Sequence, residues 1–370
     1  MAYVEHITTK PEKIAATAVG LLFEDLLLPN LFTSASFDDY KGAKDGVVNV
    51  KVPGLLPARV YKFRNDRSEP IKYDTYTEDT VQVAFNADRP YSAIELTDEQ
   101  VDFDEITVNT LMPKQARAVG SAMELNASYL LDSAQYEVTI GGAEANLYQT
   151  LIEARKILNK FRAQGTRYLV VGTDFEAALL LDPRFTTAVS VGNEAGAVMR
   201  SGNIGNWAGF TIFTSTKIEP DAAYAFTDAA FATATAAPYV PNSVPFGATA
   251  SYNGYALRWI RDYDAAYLVD RSVVDAYFGS TQVLDRGFVI VDRDAIEGKL
   301  NDSGTKNNAK VLVEKVLDGQ FNVRSLKITL GGTSALGTSA ESVALTSALD
   351  IKAPVIKAPA QPASAETPAP

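Results

Sequence analysis

The segment Gly254–Gly279, GYALRWIRDYDAAYLVDRSVVDAYFG, constrains the fold more than any other part of the chain. In a strand, alternate residues point to opposite faces, so Leu257, Trp259 and Arg261 share one face while charged residues lie on both. A turn-prone stretch, 262–265, then leads into a second apolar run. The segment therefore predicts two neighbouring strands whose aromatic side chains pack on one side and whose arginines and aspartates lie within reach of each other.

The charged residues of this segment allow two interpretations. In the first, they form solvated ion pairs on a half-exposed pair of strands; in the second, they form a structural or intermolecular cluster. A calcium site does not fit, because Ca²⁺ usually takes its oxygen ligands from one compact loop and the EF-hand spacing is absent. The candidate ion-pair residues are Arg258, Arg261, Asp262, Asp264, Asp270 and Arg271.

The balance of charged and reactive residues excludes several functions. Lys and Arg number 34 against 45 Asp and Glu, which gives a formal net charge of −11 with no basic block. Tight sequence-independent DNA binding needs several basic residues in one patch, so it is not expected. There is no cysteine, and the single histidine is His6, so disulfides and thiolate nucleophiles are absent and a Ser-His-Asp triad or multi-histidine zinc site is nearly excluded. We therefore expect no enzymatic activity, no cofactor and no metal site.

The sequence shows no signal for entry into a membrane. No basic region followed by an apolar run stands at the N-terminus, and no apolar stretch approaches the roughly 20 residues that cross a bilayer. We expect a soluble protein that is made in a cytoplasm.

Residues 1–45 contain one helical pattern after a polar leader. Apolar residues recur three and four positions apart from Ile14 to Leu26, between Pro11, which opens the helix, and Pro29, which is expected to end it. The helix is short and apolar, so it has to dock on another part of the structure.

Residues 46–95 contain strand and turn patterns and no helix. The run Val81–Phe85 alternates as in a half-buried strand, and Arg59–Arg64 is expected to pair with it across a polar tip. An isolated two-stranded hairpin is marginally stable in water, so this one must lie on another surface, either of its own domain or of a neighbouring molecule. The further ion-pair candidates are Arg59, Arg64 and Arg67.

A long helix and an α/β region follow. Residues 103–134 have helical spacing, with a kink or restart expected at Pro113. Residues 147–250 open with an amphipathic helix, and Asp174 is expected to cap the next helix. The glycine-rich loop GNIGNWAG then runs into a strand. A phosphate loop needs GxxxxGK(S/T) before a helix and a dinucleotide site needs GxGxxG, so nucleotide binding is not expected.

The C-terminal region divides into two parts. Residues 286–352 contain runs that alternate like strands and predict a small β domain, whereas residues 353–370 are rich in Ala and Pro with few large apolar groups. Such a composition buries too little surface to order the chain, so we expect a flexible tail.

Four segments, in this order, resemble the major capsid (coat) protein of tailed bacteriophages. They are the hairpin, which opens on GVVNVKVPG and closes on ELTDEQ; the long helix; the GxxGxxxGF loop; and the pair RWIRDYD and DRSVVDAYFG. The resemblance implies the α+β Hong Kong 97-type capsid fold. Its parts would be an N-terminal arm (1–45), an extended loop (46–95), a peripheral domain with the spine helix (96–146) and return strands (251–285), an axial α/β domain (147–250), a C-terminal extension (286–352) and the tail (353–370).

The same resemblance implies a function. The protein would be the structural subunit of an icosahedral phage shell that self-assembles into pentamers and hexamers in the bacterial cytoplasm and encloses double-stranded DNA without sequence-specific binding. Separate scaffolding, portal or decoration proteins are its expected partners. The alternative is a nanocompartment shell around a cargo enzyme, which particles without DNA would indicate. A carboxylate-based hydrolase of the α/β domain is a third hypothesis, disfavoured because no nucleophile motif is present. A Lys–Asn crosslink from Lys62 or Lys72 stays open.

Overall fold

The structure, a computed structural model, describes much of the chain in two compact units. The described residues are 11–34, 47–52, 79–84, 89–103, 108–142, 146–182, 205–244, 246–285, 288–292, 312–316 and 319–356, with 56, 70, 71, 73 and 76. Unit 1 comprises residues 1–53, 78–134 and 228–283, and unit 2 comprises residues 54–77, 135–227 and 284–370. Each unit is therefore assembled from stretches that are distant in sequence.

Helices and strands are numbered here in chain order through both units. The helices are α1 (Pro11–Asp25), α2 (Leu28–Leu31), α3 (Asp98–Phe103), α4 (Val108–Ser133), α5 (Leu147–Lys160), α6 (Thr173–Leu181) and α7 (Ala340–Ala348). The strands are β1 (Thr33–Ser34), β2 (Val47–Val52), β3 (Asp79–Ala84), β4 (Tyr91–Thr97), β5 (Val138–Gly142), β6 (Arg167–Val171), β7 (Asn206–Trp207), β8 (Phe210–Thr214), β9 (Ala222–Thr227), β10 (Phe231–Ala236), β11 (Phe246–Tyr252), β12 (Tyr255–Asp264), β13 (Val269–Asp275), β14 (Tyr277–Gln282), β15 (Phe288–Asp292), β16 (Leu312–Val316), β17 (Ser325–Leu330) and β18 (Ala335–Leu336).

The core of unit 1 lies between helices α1 and α4 and a four-stranded antiparallel sheet in the order β11–β12–β13–β4. The predicted spine helix is confirmed as α4, which buries Met112, Ala116, Val119 and Met123 at helical spacing. The helix continues through Pro113, so the expected restart does not occur; the proline costs the helix one internal hydrogen bond.

The N-terminal helix docks on this core, as its apolar face predicts. It ends at Asp25, earlier than expected, and Pro29 lies in the first turn of α2 instead of ending α1, a position where its missing N–H is not needed. The buried carboxylate of Glu124 on α4 accepts the backbone N–H groups of Leu27 and Leu28 at 3.1 Å. It thereby supplies partners that the start of α2 would otherwise lack.

Residues 46–95 contain an antiparallel pair of strands, β2 and β3. Strand β3 pairs with β2, from Val47↔Ala84 to Val52↔Asp79. Arg59–Arg64, the predicted partner of this strand, lies outside the described residues, so that pairing stays a prediction. Strand β3 contacts β14, so Val83 is fully buried while its neighbours are exposed. The predicted half-buried strand is confirmed.

Unit 2 is built on a seven-stranded mixed sheet in the order β18–β5–β17–β9–β6–β8–β7. Helix α5 packs on it through Leu147, Leu151, Ala154 and Leu158, which confirms the amphipathic pattern. Helix α6 begins at Thr173 after Gly172, so the predicted Asp174 cap is wrong. Asp174 lies in the first turn, where its negative charge still suits the helix dipole.

The C-terminal region differs from the predicted small β domain. Strand β17 lies inside the sheet of unit 2, parallel to β5 and antiparallel to β9, and buries Leu326 and Ile328 completely. It joins that sheet because its backbone pairs with a strand on each side and its apolar residues Leu326 and Ile328 pack in the core. The other strands of the region, β15 and β16, form a two-stranded sheet of their own.

Three predicted boundaries also shift. The axial α/β domain was expected to reach residue 250, but the division falls at Thr227, because β10 and β11 pair with strands of unit 1. The extended loop ends before residue 91, since β4 pairs with β13. The tail begins later than 353, because Ile356 packs against the core of unit 2; residues 357–370 lie outside the described residues.

Candidate functional site: the arginine–aspartate cluster of the four-stranded sheet

The register of β12 and β13 brings the predicted charged residues together. Arg258 lies directly opposite Asp275, and Asp262 directly opposite Arg271. These pairs share one face of the sheet, while Arg261 points to the other face, as the alternation predicts. Opposite charges at directly facing positions stabilise a pair of strands, so the pattern in the sequence reflects the register.

Arg258 and Asp275 form the most buried ion pair of the cluster. The Arg258 Nε and Nη2 donate to the Asp275 Oδ1 and Oδ2 at 3.0 and 2.7 Å. Only 11% of the Arg258 side chain and 5% of the Asp275 side chain are exposed. A second guanidinium, Arg89, also donates to Asp275, and the Arg258 Nη1 donates to the backbone carbonyl of Tyr239. One buried carboxylate is therefore held by two arginines from different strands and loops.

The other pairs of the cluster are more exposed. The Arg261 Nε donates to the Asp270 Oδ2 at 2.8 Å, and this hydrogen bond raises the pKa of Arg261 against the opposing effect of burial. Arg271 reaches Asp262 and Asp264 at 3.1 and 2.9 Å. About 40% of each arginine side chain is accessible, at 41% for Arg261 and 39% for Arg271. Such pairs contribute roughly 0–1 kcal/mol each, so they add little to the stability of the subunit.

A buried polar network fixes β12 and β13 to α4 on the face opposite to Arg258 and Asp275. The Trp259 Nε1 donates to the Ser272 Oγ at 3.0 Å, and that hydroxyl donates to the Gln115 Oε1 at 2.9 Å. The Gln115 Nε2 then donates to the carbonyls of Ser92 and Ser272 at 3.1 and 3.0 Å. These hydrogen bonds offset the cost of burying the polar groups, and the network fixes the spine helix to three strands, β4, β12 and β13.

Away from this cluster, Glu137 of unit 2 is a carboxyl group with a perturbed pKa. Burial raises the pKa of Glu137 above its ordinary value, and the nearby charge of Glu341 raises it further, while the backbone N–H of Asn322 opposes them. The Glu137 carboxylate also accepts a hydrogen bond from Ser342 on α7. The residue therefore links the C-terminal helix to the sheet through a charge that is partly desolvated.

The sequence identified some of these residues and missed others. It named the three arginines of β12 and β13 without ranking them, whereas the exposures identify Arg258 as the most buried of the three. The sequence analysis missed Arg89, Gln115 and Glu124. Each of them bonds to a residue more than 90 positions away in the chain, as Glu124 does to Leu28. The predicted candidates Arg59, Arg64 and Arg67 lie outside the described residues.

The charged groups of the cluster neutralise one another. Its carboxylates and guanidiniums are paired with each other across β12 and β13. Among the described residues, no three or more His, Asp or Glu side chains gather as a metal site. No helix in the described part of the chain is long and apolar enough to span a membrane.

Comparison with protein families gives one match. The model of a family described as phage capsid protein matches residues 91–279, about half of the chain. The matched region runs from the start of β4 into β14 and includes the whole arginine–aspartate cluster. No curated protein matches the chain.

Solved structures share the fold at low sequence identity. A structure from Mycobacterium phage Che8 has a TM-score of 0.52 at 14% identity, with 82% of this chain and 90% of that chain covered. The capsid structure of the cyanophage P-SCSP1u has a TM-score of 0.52 at 11% identity, with 81% and 86% covered. The mature capsid of bacteriophage PhiM1 has a TM-score of 0.52 at 10% identity, with 82% and 87% covered.

Proposed function

Because this chain belongs to the phage capsid protein family, we propose that its copies assemble as pentamers and hexamers into an icosahedral shell that encloses double-stranded DNA. The chain is a structural subunit of a phage capsid and has the Hong Kong 97-type fold, both as the sequence predicted. The family match favours the phage shell over the nanocompartment alternative. It is the single observation that carries the proposal.

The exposed apolar residues of the extended loop support contact with a neighbouring subunit. Among the described positions between β2 and β3, Leu56, Ile71, Tyr73 and Tyr76 are 54%, 64%, 93% and 48% exposed. Large apolar side chains in this concentration are typical of surfaces that another molecule covers. We infer that a neighbouring subunit covers this loop in the shell, and that Arg59, Arg64 and Arg67 pair with charges there.

The two units correspond, in this proposal, to the two domains that the family resemblance implies. Unit 1, with the spine helix and the charged sheet, is the peripheral domain, and unit 2 is the axial domain. The exposed pairs of Arg261 and Arg271 are then candidates for contacts between subunits, whereas the buried pair of Arg258 stabilises the subunit itself.

The net charge bears on how the shell holds its contents. With a net charge of −11 the subunit repels the DNA backbone, so enclosure without tight binding is the expected relation. Assembly would take place in the host cytoplasm. Scaffolding, portal or decoration proteins would be separate chains.

Electron microscopy of the expressed full chain tests the assembly. We expect closed particles, and nuclease-protected DNA in particles from cells that produce the whole virion. A chain that lacks residues 59–76 should stay folded but form no closed particles, because the contact between the loop and the neighbouring subunit is lost. The control removes residues 357–370, which should leave assembly intact. Closed particles of normal size from the loop deletion would contradict the proposed role of the loop.

A further inference from the structure

One end of unit 2 carries an open cleft with two arginines, here called the arginine cleft. Its walls are the second half of α5, the segment 163–167 and the turn between β7 and β8, and its volume is about 710 Å³. Arg155 and Arg167 lie in these walls together with the amides of Asn159 and Asn206. The polar groups of the cleft are thus mainly hydrogen-bond donors or adaptable amides.

The two guanidiniums of the cleft are close, and no acid balances them among the residues that the structure describes. The Arg167 Nη2 donates to the Asn159 Oδ1 at 2.7 Å and to the carbonyl of Ala163 at 3.2 Å, which fixes its position. Burial lowers the pKa of Arg167, and the nearby positive charge of Arg155 lowers it further. Neither arginine forms an ion pair with a described carboxylate, so the cleft offers positive charge to an incoming group.

The exposed guanidinium of Arg155 packs against the backbone at Gly209. Gly209, with φ +83°, follows Ala208, with φ +49°, in the tight turn between β7 and β8. A Cβ added at Gly209 would lie 3.2 Å from the Arg155 Cζ, so the guanidinium lies directly against this turn. The turn and the helix therefore shape the cleft around the side chain of Arg155.

The opposite end of the same sheet is acidic, and we call it the acidic edge. Strand β6 runs from Arg167 to Val171, so its two ends are about 13 Å apart at roughly 3.3 Å per residue. At the far end, the start of α6 and the loop before β9 are joined by the bond from the Asp174 N–H to the Pro220 carbonyl at 3.0 Å. The exposed acids at this edge are Asp174, Glu219 and Asp221, of which Glu219 pairs with Lys327.

We propose that the arginine cleft of one copy receives the acidic edge of a second copy. A head-to-tail contact of this kind uses two different surfaces of each subunit and forms a ring when the rotation between copies closes. The inference rests on the proposed assembly into pentamers and hexamers and names the contact that would build their rings. It concerns unit 2 alone.

Other occupants fit less well. A single phosphate or carboxylate ion is much smaller than the 710 Å³ of the cleft and would be held by an exposed side chain. Double-stranded DNA needs a run of basic residues, and two arginines on a chain of net charge −11 do not supply it. A second copy brings clustered carboxylates at the high local concentration of an assembling shell.

Charge reversal on the full-length chain tests this contact. Arg155→Glu places a negative charge in the cleft without removing the hydrogen bonds of Arg167, and Asp221→Lys reverses the acidic edge. Each single variant should keep its circular-dichroism spectrum and lose most closed particles in electron micrographs. The double variant Arg155→Glu/Asp221→Lys restores opposite charges and should recover them. The matched control is Lys156→Glu. It also reverses a positive charge, at the next residue of α5, which lies outside the cleft.

The outcomes separate this inference from the proposed function. If the parent forms no particles under any condition, the proposed assembly itself fails. If the parent assembles and Arg155→Glu assembles equally well, the cleft is not a subunit contact. If both single variants lose assembly but the double variant does not regain it, the acidic edge is not the partner and the inference is overturned. Recovery in the double variant, with an unaffected Lys156→Glu control, supports it.

Discussion

Replacing Arg258 by alanine should destabilise unit 1 far more than the same replacement at Arg261. Arg258→Ala removes two hydrogen bonds, at 3.0 and 2.7 Å, from the carboxylate of Asp275, whose side chain is 5% exposed. Breaking a buried ion pair by removing one partner costs about 3–5 kcal/mol, because the other charge stays buried. Arg89 still contacts Asp275, so we expect the lower end, about 3 kcal/mol.

Arg261→Ala is the matched comparison on the same strand. The Arg261 side chain is 41% exposed, and an exposed pair contributes roughly 0–1 kcal/mol. Both variants change the same residue type on β12, so the change in strand propensity nearly cancels between them. The difference of about 2 kcal/mol corresponds to a gap of about 4–8 °C in melting temperature for a domain of 150–250 residues.

Tryptophan fluorescence of the unassembled subunit measures this gap. The chain has two tryptophans, and a Trp207→Phe background leaves only Trp259, which is fully buried on β12. The double variant Arg89→Ala/Arg258→Ala should lose more than the sum of the singles, since Asp275 then has no cation. Melting temperatures of the two single variants within about a degree of each other would refute the reasoning. So would a larger loss for Arg261→Ala.

Three further predictions follow from the other contacts. Glu137→Gln should raise the melting temperature of unit 2 at pH 7, because it removes a partly buried charge. The parent should gain stability as the pH falls through the raised folded pKa of Glu137 toward the unfolded value near 4.5, and the variant should lack this gain. The same pH profile in both proteins would contradict this. Gln115→Leu should cost about 2–4 kcal/mol in urea unfolding, because it leaves buried carbonyl and hydroxyl groups unpaired, whereas the exposed Gln82→Leu should change stability by under about 0.5 kcal/mol. Removal of residues 357–370 should leave the melting temperature unchanged, whereas truncation before Ile351, which is 5% exposed, should lower it; equal melting of both truncations would show that the C-terminal segment does not dock.

Local patterns in the sequence were enough to predict the strands and helices that carry the cluster. The alternation around Trp259 predicted the two faces of β12, and the helical spacing of apolar residues predicted α4 and α5. The partner of each strand was less accessible. The alternating apolar residues of β3 predicted a strand but did not identify Val47–Val52 as a strand that pairs with it.

Contacts between distant residues could not be predicted from one sequence. Arg89 and Asp275 are 186 residues apart, and nothing in the composition around Arg89 marks it as the partner of a carboxylate. Glu124 likewise reads as an ordinary helix residue until the turn at Leu27 is placed beside it. Such residues matter because they are buried, and burial depends on the whole fold.

The C-terminal segment shows why the extent of a family match and the extent of a folded unit differ. The match ends at residue 279, and residues 325–330 follow well after it. Yet β17 lies between β5 and β9 in the sheet of unit 2, and its backbone pairs with both of those strands. Without β17, the backbone groups of two adjacent strands would be unpaired and the space of Leu326 and Ile328 would be empty, each a cost of several kcal/mol. The segment beyond the match is therefore part of the structural core of unit 2, and the cleft and acidic edge on that unit depend on it.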